Sequence, residues 1–502
     1  MTRERATLVA ILAGGLGLRL AFLRVHQTIE RDGVFYASVA EHVARGGRLV
    51  DLSGQPHTFY PPGYPVLVAP VYLLLGDSHR AGQAVSLVAG LALVWLASVV
   101  GRRLAGERAG LVAAALAALY PPFVHSSVSV MTEATFGALL CLLILAEIGL
   151  AERPGVGGSA LAGALVGALY LIRPEGLLLA AGPAWLVGGW LARREPPARV
   201  GRRAAAFGLA LAALVLPYVL YLHAVTGAWL LSGKGVALRA AETRAVFESI
   251  AFGPPRARPW QGVRAEALAL AERYLRNLFV QEGVMAQALS LLAVGLAAVG
   301  LAAGTRWRGR LAVEGVAVCG LAPLLLYPAF EVVERWTEPY MVIVFLYAAR
   351  GVLCVAARAA PATRAPLAAW GLVGLLALRW GPQLAIPLRY TPAFELVEQR
   401  DAGRWIRGRG EARASVMSRV PEIAYYARAR WVALPYADIS GVVAAARGAG
   451  VTFLVLDELS MRRLRPELLP LLDEPPPPGL TLVHQSDEFP ARRVRVFLVG
   501  HP

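Results

Sequence analysis

The sequence has few charged residues, few cysteines and a single lysine. Charged residues make up 17% of the 502 residues, against about 25% in a typical soluble chain, which excludes an ordinary soluble globular protein. Three cysteines, all inside apolar runs, exclude a disulfide scaffold. The net charge of +16 comes from basic residues that punctuate long apolar runs. We therefore expect no nucleic-acid partner, although so basic a chain usually suggests one.

The chain contains long apolar runs, and 57% of its residues are hydrophobic. A helix of about 20 apolar residues crosses the hydrocarbon core of a bilayer. The sequence thus predicts an α-helical polytopic membrane protein with about eleven transmembrane helices plus interfacial helices. The predicted spans are residues 6–25, 82–103, 109–122, 131–150, 158–172, 176–192, 204–223, 285–303, 311–329, 339–357 and 366–386.

Arginines concentrate in every second loop between these spans. Short cytoplasmic loops carry an excess of basic residues, so this pattern predicts a cytoplasmic N-terminus. No small-residue cleavage site follows the first run, which favours an anchor over a cleaved signal peptide. We expect a multi-pass protein of the bacterial or archaeal cytoplasmic membrane, with its C-terminal segment outside.

The C-terminal segment, residues 388–502, has a different pattern. Short β-like runs at 414–417, 451–456, 480–483 and 494–499 alternate with helical patterns at 393–408 and 438–449. Alternating strands and helices predict a small extracytoplasmic α/β domain. The domain boundaries are therefore expected at 1–387 for the membrane part and 388–502 for the α/β part.

The first loop, residues 26–81, contains two further helical patterns, at about 33–46 and from Pro61 to Gly76. The first is expected to lie on the membrane surface, and the second is expected to be interfacial or half-inserted. Asp32 comes directly before the first pattern, where Asp is a favoured helix N-cap. The same carboxylate, held at the membrane surface, has the chemistry of a general base. The residues alone leave both roles open.

The order of several short motifs resembles that of the GT-C membrane glycosyltransferases. The nearest branch is the protein O-mannosyltransferase and lipid A aminoarabinose transferase group, and the resemblance covers about residues 5–390. The motifs are Asp32 with Tyr36, Gly46-Gly47, Tyr60-Pro61-Pro62-Gly63-Tyr64-Pro65, Ser129-Val130-Met131-Thr132-Glu133, Arg173-Pro174-Glu175-Gly176-Leu177-Leu178 and Glu334-Arg335-Trp336 with Pro339.

This resemblance implies the GT-C fold and an inverting transfer of a sugar from a polyprenyl-phosphate donor, on the outer face of the cytoplasmic membrane. It implies a protein, glycan or lipid acceptor and a catalytic acidic residue in the first loop, which matches Asp32. Many relatives have Asp-Glu where this chain has Asp32-Gly33. The second carboxylate is therefore absent or comes from another loop.

Positive charge is needed beside the phosphate of such a donor, because negative charge builds there as the sugar leaves. Arg173, Lys234 and Arg335 are the candidate phosphate-binding residues. Each also has a structural alternative: an ion pair of Arg173 with Glu175, a solvated loop for Lys234 and an interfacial anchor for Arg335.

The remaining candidates are expected in the acceptor or donor pocket. They are Glu133, Tyr36, His125, Glu175, Tyr60 and Tyr64. Glu133 has an alternative role in the dipole of the helix that it opens, and the tyrosines are favoured as an interfacial aromatic belt.

No cofactor is expected to be required. The histidines lack metal-ligand spacing, so no metal site is predicted, although some GT-C branches use a divalent cation. Two alternatives remain: a polytopic transporter or lipid-linked sugar flippase without transferase activity, and a non-catalytic relative.

Overall fold

The computed structural model separates the chain into two compact units. Unit 1 is formed by residues of Met1–Val25, Gln83–Tyr221 and Trp260–Arg389, and unit 2 by residues of His26–Gly82, Leu222–Pro259 and Tyr390–Pro502. The structure describes residues 3–233, 268, 271–272, 274–278, 291–304, 311–325, 327–329, 334–389, 395–411, 414–486, 488–489 and 491–500.

Helices dominate the described residues. Up to residue 233 they are α1 (Arg3–Val25), α2 (Arg31–Gly46), α3 (Gly63–Leu75), α4 (Ser78–Ala105), α5 (Glu107–Leu119), α6 (Pro121–Ser126), α7 (Glu133–Glu152), α8 (Val156–Ile172), α9 (Ala181–Ala192) and α10 (Pro197–Thr226). From residue 291 they are α11 (Leu291–Gly304), α12 (Leu311–Cys319), α13 (Glu334–Thr337), α14 (Met341–Ala359), α15 (Ala365–Arg389), α16 (Val397–Gly408), α17 (Pro421–Ala427), α18 (Ile439–Gly448), α19 (Glu458–Leu464) and α20 (Pro470–Asp473). Short 3-10 helices occupy Pro174–Ala180, Ala322–Leu325, Tyr327–Ala329, Glu338–Tyr340 and Pro466–Leu468.

Seven helical segments among the described residues are long and apolar enough to cross a membrane, and the chain is a multi-pass membrane protein. They are Arg3–Val25, Ser78–Ala105, Glu133–Glu152, Pro174–Ala192, Pro197–Thr226, Arg335–Ala359 and Ala365–Arg389. The other four predicted spans correspond to the shorter helices α5, α8, α11 and α12. The predicted sidedness of the loops stays a prediction.

The expected continuous span over 311–329 is wrong. Helix α12 ends at Cys319, after nine residues, and two 3-10 helices follow it. Gly320 comes at the break, and Pro323 and Pro328 lie in the two 3-10 helices. Proline removes a helical hydrogen-bond donor and clashes with the preceding turn, so the regular helix cannot continue.

Helices of unit 1 pack closely where glycine leaves room. Gly300 of α11 lies against the backbone carbonyl of Tyr347, and Gly351 of α14 lies against the backbone carbonyl of Leu296. A side chain at either glycine would collide with main-chain atoms of the partner helix. Such close approach through small residues is how helices associate where lipid removes the hydrophobic driving force.

The two helical patterns of the first loop are confirmed as α2 and α3 in unit 2. Gly47 and Gly76 end them in the left-handed conformation, with φ of 65° and 67°. Glycine adopts this conformation without the steric penalty of a side chain, which explains why both helices stop there.

The C-terminal part of unit 2 is an α/β domain around one five-stranded sheet. Four of its strands fall within a few residues of the predicted runs. The fifth strand, β2, lies between β1 and β3 along the chain, and the pattern did not predict it. The strands are β1 (Ser415–Ser418), β2 (Arg430–Ala433), β3 (Phe453–Asp457), β4 (Leu480–Ser486) and β5 (Val494–Val499), in the order β2-β1-β3-β5-β4.

Strand β1 pairs in parallel with both β2 and β3, whereas β5 runs antiparallel to β3 and β4. Side chains alternate between two cores, one on each face. Met417, Leu454 and Phe497 belong to one core, and Val416 and Phe453 belong to the other. This alternation follows from the two-residue period of a strand.

The first loop belongs to the same unit as this α/β domain. Phe35 and Leu52 pack against one of its two cores, and the backbone N–H of Trp431 donates to the carbonyl of Leu52 over 3.1 Å. The hydroxyl of Tyr426 also accepts a hydrogen bond from the N–H of Ile29, over 2.8 Å. The loop is therefore grouped with residues beyond 389 and not with the helices of unit 1.

We predict that Gly300→Val disrupts the contact between α11 and α14. The added methyl groups meet a backbone carbonyl that cannot move aside, at a cost of about 1–3 kcal/mol or more. Purified protein should show a lower thermal-unfolding midpoint and a smaller monodisperse fraction. Gly295→Val in the same helix is the control, because no described heavy atom lies within 4 Å of its Cβ position. Equal behaviour of the two variants would contradict the packing described here.

Candidate active site

Asp32 is not the N-cap of α2, and the expectation that it precedes the helix is wrong. The helix begins at Arg31 and its N-cap residue is Glu30, which makes no side-chain capping bond. Asp32 lies in the first turn, where its charge is favourable to the helix dipole. Its half-buried carboxylate accepts a hydrogen bond on Oδ1 from the Tyr60 hydroxyl, over 2.8 Å. The carboxylate is thus oriented by a side chain that lies 28 residues further along the chain.

Aromatic rings pack around Tyr60, the residue that binds this carboxylate. The ring centroid of Tyr36 lies 4.9 Å from that of Tyr60 and 5.3 Å from that of Tyr64. Tyr36 and Tyr64 are buried, with 5% and 0% exposure, and the Tyr64 hydroxyl donates to the carbonyl of Gly82. The preferred assignment of these two tyrosines to an interfacial belt is therefore wrong. They form a packed ring cluster that holds Tyr60, and Tyr60 in turn contacts Asp32.

An ionic contact between His26 and Glu395 fixes the start of the first loop. The Glu395 carboxylate accepts hydrogen bonds from the backbone N–H groups of Gln27 and Thr28 and lies 2.9 Å from His26 Nδ1. His26 Nε2 lies 3.0 Å from Glu30. Burial alone would lower the pKa of His26, but Glu30 and Glu395 raise it to about 10. His26 is therefore protonated at neutral pH and joins the loop to the segment that leads into α16.

Glu133, Arg173, Glu175 and Arg335 form a group of charges in unit 1 that we call the Glu133 cluster. All four are predicted site residues. Arg173 Nη1 and Arg335 Nε each lie 3.2 Å from Glu133 Oε1, and Arg173 Nε lies 2.6 Å from Glu175 Oε1. Arg173, Glu133 and Glu175 are at most 9% exposed, whereas the side chain of Arg335 is 39% exposed. Arg335 is thus the guanidinium of this cluster that reaches solvent or a ligand.

The chain folds to this arrangement because each charge stands at a helix end. Glu133 opens α7, Arg173 lies between α8 and the 3-10 helix Pro174–Ala180, and Arg335 lies in α13. At such ends the backbone is irregular and polar side chains find partners. The ion pair of Arg173 with Glu175, which the sequence leaves open as a structural alternative, is present.

Three residues of this region were missed by sequence reasoning. Tyr327 donates to Glu175 Oε1 over 3.1 Å and its hydroxyl lies 3.3 Å from that of Tyr340. Glu338 is 5% exposed, and its Oε1 atom has no hydrogen-bond partner among the described residues. A glutamate directly before Pro339, at the start of an apolar run, is the signal that could have identified Glu338.

His125 and Lys234 are the two remaining candidates. His125 lies in α6, is exposed, and its Nδ1 atom lies 3.4 Å from the Ser129 hydroxyl. Lys234 lies outside the described residues. Asp32, Tyr36, Tyr60 and Tyr64 belong to unit 2 and the Glu133 cluster belongs to unit 1.

We predict that Glu133→Gln destabilises unit 1. Removing this carboxylate leaves two guanidinium groups that lose their shared partner, and breaking a buried ion pair costs about 3–5 kcal/mol. The thermal-unfolding midpoint in nanodiscs should fall by several degrees. Glu152→Gln is the control at the other end of α7, where Glu152 and Arg103 form a half-exposed pair at 3.1 Å. That pair contributes about 1 kcal/mol or less, so a similar fall in both variants would argue against the role of Glu133.

Comparison with known proteins relates part of the chain to a sequence family. Residues 60–221 match the family described as dolichyl-phosphate-mannose-protein mannosyltransferase, which is roughly a third of the chain. No curated protein sequence matches the chain.

Several solved structures share the fold. ArnT from Cupriavidus metallidurans, bound to undecaprenyl phosphate, is 14% identical, with a TM-score of 0.64 and 97% of each chain covered. The Archaeoglobus fulgidus oligosaccharyltransferase complex with Zn and sulfate is 14% identical, with a TM-score of 0.62, and covers 91% of this chain and 68% of its own. AglB from the same archaeon, with an inhibitory peptide and a dolichol-phosphate, is 14% identical, with a TM-score of 0.55 and coverages of 92% and 70%.

The resemblance that the motifs indicate is thereby confirmed at the level of the fold. The chain has the fold of the GT-C superfamily of membrane glycosyltransferases, and its residues 60–221 match the sequence pattern of one family within it.

Proposed function

We propose that this protein transfers a sugar, with inversion, from a polyprenyl-phosphate donor to a hydroxyl-bearing acceptor on the outer face of the membrane. The proposal rests on the position and the hydrogen bonding of the Asp32 carboxylate. This carboxylate lies in the first loop and accepts a hydrogen bond from Tyr60. Two similar structures contain undecaprenyl phosphate or a dolichol-phosphate, which supports a lipid-linked donor.

Asp32 is assigned the role of general base. As the acceptor oxygen attacks the anomeric carbon, its proton passes to the Asp32 carboxylate and the bond from the sugar to the phosphate oxygen breaks. The lipid phosphate leaves with the electron pair of that bond. The hydrogen bond from Tyr60 to Oδ1 holds the carboxylate in one orientation, and a positioned base of this kind contributes about 10²–10⁴ in rate.

Arg335 is assigned the role of binding the donor phosphate. Arg173 is assigned a supporting role. Arg335 is the more exposed of the two, and its planar guanidinium suits a phosphate because it donates two parallel hydrogen bonds. Arg173 is committed to Glu133 and Glu175. It therefore serves to hold Glu133, which in turn positions Arg335. No step of the transfer is assigned to a metal ion.

We predict that Asp32→Asn lowers transfer at least 100-fold while donor binding is kept. Asparagine preserves the shape of the side chain but cannot take the proton. The measurement is turnover in membranes that contain undecaprenyl-phosphate sugar and a hydroxyl acceptor, with and without EDTA. Asp77→Asn is the control in the same loop, because Asp77 is exposed and accepts only the local N–H of Arg80 among its described contacts. Turnover that survives in Asp32→Asn would remove Asp32 from this role, and substrate movement without transfer would favour a transporter.

We predict that Arg335→Gln weakens binding of undecaprenyl phosphate about 10- to 100-fold. A hydrogen bond to a charged group contributes about 1.5–3 kcal/mol, and about 1.4 kcal/mol corresponds to a tenfold change in affinity. Binding is measured by titration of the lipid phosphate into protein in nanodiscs. Arg364→Gln, at an exposed turn, is the matched control. Unchanged affinity in Arg335→Gln would exclude Arg335 from the phosphate site.

A further inference from the structure

Unit 2 buries charged side chains where two adjacent strands end. Arg419 follows β1, Asp457 ends β3, and Glu422 lies in the first turn of α17. Their exposures are 5%, 3% and 7%. A domain with two well-formed apolar cores does not need three ionisable groups in such a place, since burying charge is costly.

The topology of the sheet makes this location distinctive. The chain leaves β1 through α17 to β2 on one side of β1, and then crosses through α18 to β3 on the other side. The order of the parallel strands therefore reverses between β1 and β3. In α/β folds, ligands bind outside the carboxyl ends of strands at such a switch point. Arg419 and Asp457 stand at the carboxyl ends of these two strands.

A fourth charge comes from the first loop. Arg31 opens α2 and interacts electrostatically with Glu422, Asp457 and Arg419. Burial raises the pKa of Glu422 and of Asp457, and the positive charge of Arg31 acts against that rise. Burial also lowers the pKa of Arg419 to about 10. We call Arg31, Arg419, Glu422 and Asp457 the switch-point cluster.

One buried carboxylate oxygen in this cluster is unsatisfied. Glu422 Oε2 has no hydrogen-bond partner among the described residues, although its side chain is more than nine-tenths buried. Asp457 differs, because its Oδ1 atom accepts the N–H of Ser460 over 2.8 Å. A buried polar atom without a partner calls for a physical explanation, and a bound polar group that completes its hydrogen bonds is one.

The charges of the cluster define the chemistry of that ligand. Two guanidinium groups and two carboxylates cancel formally, so the cluster favours neither an anion nor a cation. Guanidinium groups only donate hydrogen bonds and carboxylates only accept them. A neutral group with several hydroxyls satisfies both, because each hydroxyl donates and accepts.

The switch-point cluster also lies beside the proposed base. Arg31 and Asp32 are neighbours in the first turn of α2, and the charge of Asp32 acts on Glu422. We propose that the switch-point cluster binds the hydroxyl groups of a glycan acceptor and presents one of them to Asp32. The role as acceptor site rests on the proposed function, whereas the binding of a neutral polyol does not.

The competing interpretation is purely structural, an ion-pair network that joins α2 to the α/β domain. That role requires no ligand, so substitutions would lower stability without creating or removing sugar binding. A direct binding measurement on the full chain therefore separates the two interpretations.

The test is titration of methyl α-glucoside into the full-length protein in nanodiscs. We expect saturable binding that weakens at least tenfold in Arg419→Gln and in Glu422→Gln. Arg463→Gln and Glu474→Gln are the matched controls, because both residues are exposed in the same domain. Glu422→Gln removes a charge and keeps the shape, so it decides the outcome if Arg419→Gln does not fold.

Three outcomes would overturn the proposal. They are no saturable binding of methyl α-glucoside to the unmodified protein, binding that is equal in all four variants, and preferential binding of inorganic phosphate or ethylammonium at the same residues. Undecaprenyl phosphate binding and sugar transfer are measured on the same samples. Sugar binding with no transfer by the unmodified protein would refute the proposed function and leave the glycan site in place, and transfer without a glucoside site would do the reverse.

Discussion

The pairing of a buried carboxylate with positive charge fixes the segments around the candidate site in each of the two units. In unit 1 the carboxylate of Glu133 is shared by Arg173 and Arg335. In unit 2 the carboxylate of Glu395 is bound by His26 and by two backbone N–H groups. Each contact joins segments that are distant in sequence, because an unpaired charge in a medium of low dielectric constant would cost several kcal/mol.

The pairing also explains why the two arginines of the Glu133 cluster differ in role. Arg173 is surrounded by Glu133, Glu175 and the ring of Phe136, whose centroid lies 5.9 Å from its guanidinium carbon. A guanidinium so fully engaged is a poor ligand for an incoming phosphate. Arg335 shares the same carboxylate but keeps 39% of its side chain exposed. A phosphate that approaches Arg335 adds to its contacts without first having to break those of Arg173.

Local patterns in the sequence predicted local structure well. They failed where contacts between residues distant in sequence determine the structure. The apolar spacing and the glycine pair after Arg45 predicted α2, since periodicity and a left-handed cap are local properties. The N-cap assignment of Asp32 was off by two positions, since the N-cap is Glu30, and the partner of the Asp32 carboxylate, Tyr60, lies 28 residues away. Strand β2 was missed because four residues that begin with an exposed Arg430 carry almost no alternating pattern. Glu338 and Arg419 were missed because their partners come from other segments.

No carboxylate directly follows Asp32 in the sequence, but the fold brings another carboxylate into electrostatic interaction with it. Gly33, which stands in that position, is buried in α2. Glu422 supplies a carboxylate from α17 whose pKa is raised by burial and further by the negative charge of Asp32. The charges of Asp32 and Glu422 therefore interact, although the two residues are distant in sequence. The proposed acceptor site at the switch-point cluster would thus give the α/β domain a part in the chemistry proposed for Asp32.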